Sequence, residues 1–187
     1  HFDLYVLEPV ASEKQQEDFD IASLISDIRK HNIDSRGVDP LVVAYVDVGQ
    51  AESWRWYFDD SWVDENEQLT TLAPTWITGN DPDQWLGNYP VAVWAKAWQD
   101  IAIYGKHGRS LVQITIDAGF DGIYMDWVEA FSDESVLTYL KREEGVSESS
   151  AELVSAERML DFIEKIRSYA RKESFNANPD YLVIAQN

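Results

Sequence analysis

Apolar positions recur along the chain in two rhythms that take turns. FDLYVLEPV, residues 2–10, is a β-branched and aromatic run closed by Pro9. DFDIASLISDIRKHN follows, with Ile21, Leu24, Ile25 and Ile28 at helical spacing. The pair predicts a strand and then an amphipathic helix. LVVAYVDVG is the next strand, and YPVAVWAK predicts a further one. RSLVQITIDAG predicts a helix presenting Leu111, Ile114, Thr115 and Ala118 on one face, with Gly119 just past its end, and FDGIYMDWV returns to a strand. Ser149 and Glu152 have capping-box spacing ahead of a stripe of Ala156, Met159, Leu160, Ile163, Ile166 and Ala170, and YLVIAQN is the last strand.

Strands that are nearly continuously apolar and alternate with helices predict a parallel sheet covered by helices, either a barrel or an open sheet. No GxGxxG or GxxxxGK[ST] follows any strand, so a nucleotide-binding sheet has little support. Polar residues collect where strands end: Glu8, Asp47, Asp126, and Gln186 with Asn187. In a (β/α) barrel that rim is where active sites are built. A period of two puts Tyr45 with Asp47, and Tyr124 with Asp126, on common faces. A single rim carboxylate serves most simply as a helix cap or ion-pair partner. Several on successive strands point instead to acid and base chemistry on a glycosidic bond, with Asp126 as the leading candidate.

Composition narrows the picture. The 187 residues suffice for a single domain, and 45% hydrophobic content is that of a globular protein. No apolar stretch approaches the roughly 20 residues needed to span a bilayer, so no membrane insertion is expected, and HFDLYVLEPV lacks the features of a signal peptide. Thirty-four acidic against 15 basic residues, a net charge of −19, exclude nucleic acid as an expected partner and would attract a cationic polymer, although most of these charges are expected simply to form a solvated acidic surface. With no cysteine and three scattered histidines, His1, His31 and His107, neither a metal site nor a cofactor is expected. NDPDQW, with Asp81 and Asp83, reads as a turn rather than a cation loop.

The connection from Ser53 to Tyr89 holds Trp54, Trp56, Trp62, Trp76 and Trp85. An excursion of that length usually carries function, and indole faces suit sugar rings. About three of the five are expected to form a satellite core that holds the loop down.

AYVDVGQAESWRWY, AVWAKAWQDI, AGFDGIYMDWVEAF, ERMLDFIEKIRSYAR and YLVIAQN, in that order, resemble glycoside hydrolase family 114, the endo-alpha-1,4-polygalactosaminidase group. The closer likeness is to its bacterial and archaeal branch, expected to be mislabelled as related to cysteinyl-tRNA synthetase. GFDGIYMD is specific in combination with Gly49, Glu52 and Arg55. The resemblance implies an α/β fold, a (β/α)8 TIM-like barrel, that hydrolyses alpha-1,4-linked, galactosamine-rich polysaccharide without a cofactor.

By motif, Asp126 falls on the catalytic aspartate. Glu8, Tyr45, Asp47, Glu52, Arg55, Trp94, Tyr124, Gln186 and Asn187 become candidate substrate-binding residues. The family's partner glutamate would lie on a strand after the QN segment, and Gln50 and Ala95 stand where relatives carry carboxylates. The chain accounts for about five of the eight strands of a barrel, so residues 1–187 are expected to be one catalytic domain incomplete at both ends. A secreted or periplasmic enzyme acting on a polysaccharide, with a cationic amino sugar as the favoured unit, is the expected protein. The alternative is a non-catalytic carbohydrate-binding barrel with an incomplete acid pair.

Overall fold

A computed structural model describes residues 2–10, 19–105 and 108–186. Four strands, β1 (Leu4–Leu7), β2 (Leu41–Asp47), β5 (Gly122–Asp126) and β6 (Leu182–Ala185), form one sheet in the order β1-β2-β5-β6, every pair parallel. Between β2 and β5 the chain makes a separate antiparallel pair, β3 (Gln50–Glu52) with β4 (Asn88–Pro90). The helices are α1 (Ile21–Arg36), α2 (Lys96–Gln99), α3 (Leu111–Asp117), α4 (Glu134–Glu144) and α5 (Ala151–Ser168).

The parallel arrangement follows from strands too apolar to leave a face in water. Val42, Ala44, Val46, Ile123 and Met125 are buried under α1, α3 and α5 together with Ile25, Val112, Met159, Phe162 and Ile166. The opposite face carries Val43, Tyr45 and Asp47 of β2 in register with Gly122, Tyr124 and Asp126 of β5. It is the concave face of a barrel sector. On the first strand it exposes Leu4 at 45% and Val6 at 42%. The barrel does not close among the described residues, and β1 and β6 form the two edges of the sheet.

The parallel sheet has four strands rather than the expected five. YPVAVWAK does not join it, because β2 pairs directly with β5 and leaves no slot. Instead the Val91 N–H donates to the Gly49 carbonyl at 3.0 Å and the Ala92 N–H to that of Trp76 at 2.8 Å, extending the small antiparallel sheet. Two helix details also differ. Ser150 caps α5 without a side-chain bond to its first turn, its hydroxyl being held by Ser147, so the capping box does not form. The buried stripe of α5 runs through Ser155, Met159, Phe162 and Ile166, which leaves Leu160 66% exposed. On α1, Leu24 is likewise exposed, while Asn32 is buried with its amide donating to Tyr5 Oη at 2.9 Å.

Candidate active site

Because β1, β2, β5 and β6 are parallel, Glu8, Asp47, Asp126 and Gln186 all lie at or just past the same end of the sheet. Asp47 and Asp126 are register partners on neighbouring strands, whose backbones are about 4.8 Å apart. Tyr45, two residues before Asp47 and on the same face, donates its hydroxyl to Asp126 Oδ2. The other oxygen, Oδ1, accepts the Trp127 N–H at 2.9 Å. That second bond needs a sharp turn, and Trp127 supplies it in the left-handed region at φ +58°. A non-glycine residue held there stores strain of about 1–3 kcal/mol, a cost associated with functional sites. Gly49 lets the turn approach: a Cβ at that position would sit 2.2 Å from the Trp127 carbonyl oxygen.

Asp47 is 3% exposed and accepts the N–H groups of Gly49 and Gln50 on Oδ1 at 3.1 and 2.9 Å. Burial, then the charges of Glu52 and Asp126, push its carboxyl well above the ordinary aspartate range. Burial, followed by the bond to Asp126, also raises the Tyr45 phenol, so it stays a donor. Arg55 is 2% exposed and grips Glu52 through Nε at 2.6 Å and Nη2 at 3.2 Å, while Nη2 also reaches Glu8 at 3.2 Å. Even with this cation beside them, burial keeps the Glu52 and Glu8 carboxyls raised. A bidentate guanidinium fixes the plane of Glu52, which a lysine could not do.

These groups surround a cleft of about 360 Å³. Glu8, Asp47, Glu52, Asp81, Asp83 and Asp126 are its carboxylates, and among the described residues no lysine or arginine lines it. Tyr45, Gln50, Trp54, Trp85, Asn88 and Trp127 complete the wall. Gln50 donates its amide to Asp81 Oδ2 at 2.6 Å. Asp81 Oδ1 in turn accepts the N–H groups of Asp83 and Trp85 at 2.8 and 3.0 Å, so NDPDQW is a turn that also faces the cleft. Among the described residues no group of three or more histidine, aspartate or glutamate side chains could hold a metal ion.

The cleft therefore gathers Glu8, Tyr45, Asp47, Glu52 and Asp126 from the sequence-derived candidates. Arg55 lies behind them as the buried partner of two of the carboxylates. Tyr124 and Gln186 do not line the cleft; Gln186 continues the β6 pairing through its N–H to the Met125 carbonyl at 2.9 Å. Trp94 is corrected outright. Its indole donates to Glu144 Oε1 at 2.6 Å and lies 4.7 Å from the Arg158 guanidinium, so it braces α4 and α5 instead of facing the cleft. The segment carrying it left the sheet, and the aromatic went with it. Asn187 lies outside the described residues.

The excursion divides its tryptophans between two tasks. Trp62 meets Trp76 at 5.8 Å, Trp76 meets Trp98 at 5.5 Å, and Trp56 joins through Tyr57. Trp54 and Trp85 line the cleft. Reading the sequence missed Trp127, Asp81, Asp83 and Asn88 as wall residues. For the first, the signal was its place directly after Asp126; for the others, it was the polar cluster beside Trp85.

The model of glycoside-hydrolase family GH114 matches residues 5–181. The chain belongs to this family. An uncharacterized protein of Thermotoga maritima is 36% identical over 151 residues, covering 81% of this chain and 38% of that one. One of Deinococcus radiodurans is 34% identical over 146 residues, covering 78% and 37%. The chain thus spans less than two fifths of the length of these curated relatives. They carry only the description of uncharacterized proteins, so the expected synthetase-related label is not borne out. Among solved structures, the glycoside hydrolase domain of PelA from Pseudomonas aeruginosa superposes with a TM-score of 0.52 at 13% identity, covering 100% of this chain and 53% of that one. Its E218A variant gives 0.54 at 12% identity, with the same coverage. At such identity the likeness is one of fold.

Proposed function

We propose that this chain carries the cleft of an endo-acting glycosidase that cleaves alpha-1,4-linked, galactosamine-rich polysaccharide outside the cytoplasm, in a secreted or periplasmic setting. The observation that carries the reading is Asp126, clamped by Tyr45 and the Trp127 N–H at the rim of a parallel sheet, in a cleft walled by carboxylates and tryptophans. Clamping both oxygens pre-orients the carboxylate for attack on, or proton exchange at, a glycosidic centre. Asp47, holding its proton to higher pH than an ordinary aspartate, is the neighbouring group able to donate one. A wall whose charged side chains, among the described residues, are all carboxylates favours an ammonium-bearing sugar over a neutral or anionic one. Family resemblance supports the linkage in this reading.

A second reading, a carbohydrate-binding barrel without catalysis, draws on Gln50. Its amide stands where the family resemblance leads one to expect a carboxylate, and it is tied to Asp81. Hydrolysis of a partly deacetylated galactosamine polymer by the wild type and by Asp126→Asn separates the two. Turnover that is lost in the variant supports the glycosidase. Tight binding with no turnover in either supports the binding barrel.

A further inference from the structure

A second cavity of about 210 Å³ opens beside the cleft, and the two share Asp81, Trp85 and Asn88 in their walls. Its remaining polar lining comes chiefly from Glu67, Asn80 and Gln84. Glu67 and Gln84 both adopt left-handed backbone, at φ +58° and +67°, two of the three such non-glycine residues described. Strain of this kind persists only where the surroundings enforce it. Around Glu67 they do: its carbonyl accepts from Asn80 Nδ2 at 2.7 Å and from Tyr89 Oη at 3.2 Å, and its N–H donates to the Asp64 carbonyl at 3.0 Å. With its backbone fastened in this way, the side chain is left with Oε2 buried and without a hydrogen-bond partner. Asn88 Oδ1, in the wall shared by both cavities, is in the same condition. So is Trp54 Nε1 in the adjoining cleft wall, which makes three of the six such side-chain atoms among the described residues.

Buried polar groups are nearly always paired, so a cluster of unpaired ones along one wall is a request for a ligand. Two acceptors and one donor match the mixed hydrogen-bonding edge of a sugar. The Trp85 ring, 71% exposed and common to both cavities, offers the flat apolar face on which a pyranose packs. We infer that the second cavity is a subsite for a further sugar unit of the polymer held in the cleft, with the Glu67 carboxylate and the Asn88 amide turning to take its ammonium or hydroxyl hydrogens and Trp85 its ring. The inference rests on the glycosidase reading for the identity of the polymer. It adds a place, and a length requirement, that the reacting carboxylates do not supply.

Calorimetric titration tests it with galactosamine as the monosaccharide, a free-amine alpha-1,4-galactosamine hexamer, and its N-acetylated counterpart. The wild type is expected to bind the free-amine hexamer well above the monosaccharide. Glu67→Gln, which keeps the size of the side chain, should weaken the hexamer roughly tenfold, the worth of one charge-assisted hydrogen bond, and leave the monosaccharide unchanged. A larger loss for the free-amine than for the acetylated hexamer assigns an ammonium to Glu67, and an equal loss assigns a hydroxyl; both support the subsite. Should Glu67→Gln fail to fold by circular dichroism, Gln84→Asn, at a position that lines the second cavity and not the cleft, decides with the same selective loss. Wild-type affinity for the hexamer in a folded variant overturns the subsite and leaves the glycosidase reading intact. A wild type that binds none of the three overturns both.

Discussion

The carboxylates at the ends of β2 and β5 and the tryptophans between β3 and β4 face one cleft, but they are held there by opposite means. Asp47 and Asp126 stand on buried strands with main-chain N–H groups bonded to them. Trp54 and Trp85 stand on a long excursion whose own small core, Phe58, Trp62, Trp76 and Tyr89 against Trp98, fixes it to the barrel sector. The first region has nearly every polar atom satisfied, while the second leaves several unpaired. The division suits a site in which rigid elements carry the chemistry and a separately anchored loop reads the ligand.

Breaking the first region should cost most. Asp126→Asn keeps the shape but removes proton transfer or nucleophilic capacity, and hydrolysis is expected to fall by about 10²–10⁴ or more with little change in thermal unfolding. A stable, fully active variant would place the chemistry elsewhere. The second region breaks differently. Trp76→Ala empties the space between Trp62 and Trp98, and unfolding in urea should show a loss of about 3–5 kcal/mol. Polymer affinity should fall alongside it; unchanged affinity would mean that the excursion does not read the ligand.

Two smaller effects sharpen the contrast. Tyr45→Phe removes one of the two clamps on Asp126 and should reduce turnover about tenfold, the worth of a hydrogen bond to a charged group, with substrate affinity nearly unchanged. Asp47→Asn should alter how stability varies with pH. The raised folded-state value of Asp47 means that its contribution is fully present below about pH 4, where the unfolded carboxyl is also protonated, and is lost as pH rises through the folded value. The asparagine variant, neutral throughout, should show a shallower decline over that range in chemical denaturation. An unchanged profile would argue that Asp47 is ionised in the fold.

What could be read in the sequence was what a period or a motif encodes. Asp126 was legible because period two carries Tyr124 and Asp126 to one face at a strand end, and Glu52 with Arg55 because their spacing belongs to a family block. Trp94 misled because an apolar run looks like a sheet strand whether its donors go to β2 or, as here, to Gly49 and Trp76. Leu160 misled because two helical stripes overlap on α5 and packing chose the one through Phe162. Glu67 carried no local signal, and Asn88 only that of the polar cluster beside Trp85. They meet because Asn80 and Tyr89, the neighbour of Asn88, both donate to the Glu67 carbonyl from the far side of an aperiodic excursion.

The uneven exposure of the indoles has an optical consequence. Trp98 and Trp76 sit in apolar surroundings at 0% and 8% exposure, where emission is blue and indifferent to added solute. Trp85, 71% open to water, emits to the red and is accessible to a soluble quencher such as iodide or acrylamide. A sugar stacked on Trp85 would shift that red component and shield it, while the buried background stayed constant. Such binding would thus have its own unlabelled gauge, and Trp85→Phe would remove its most exposed component, leaving Trp54 and Trp127 of the cleft wall.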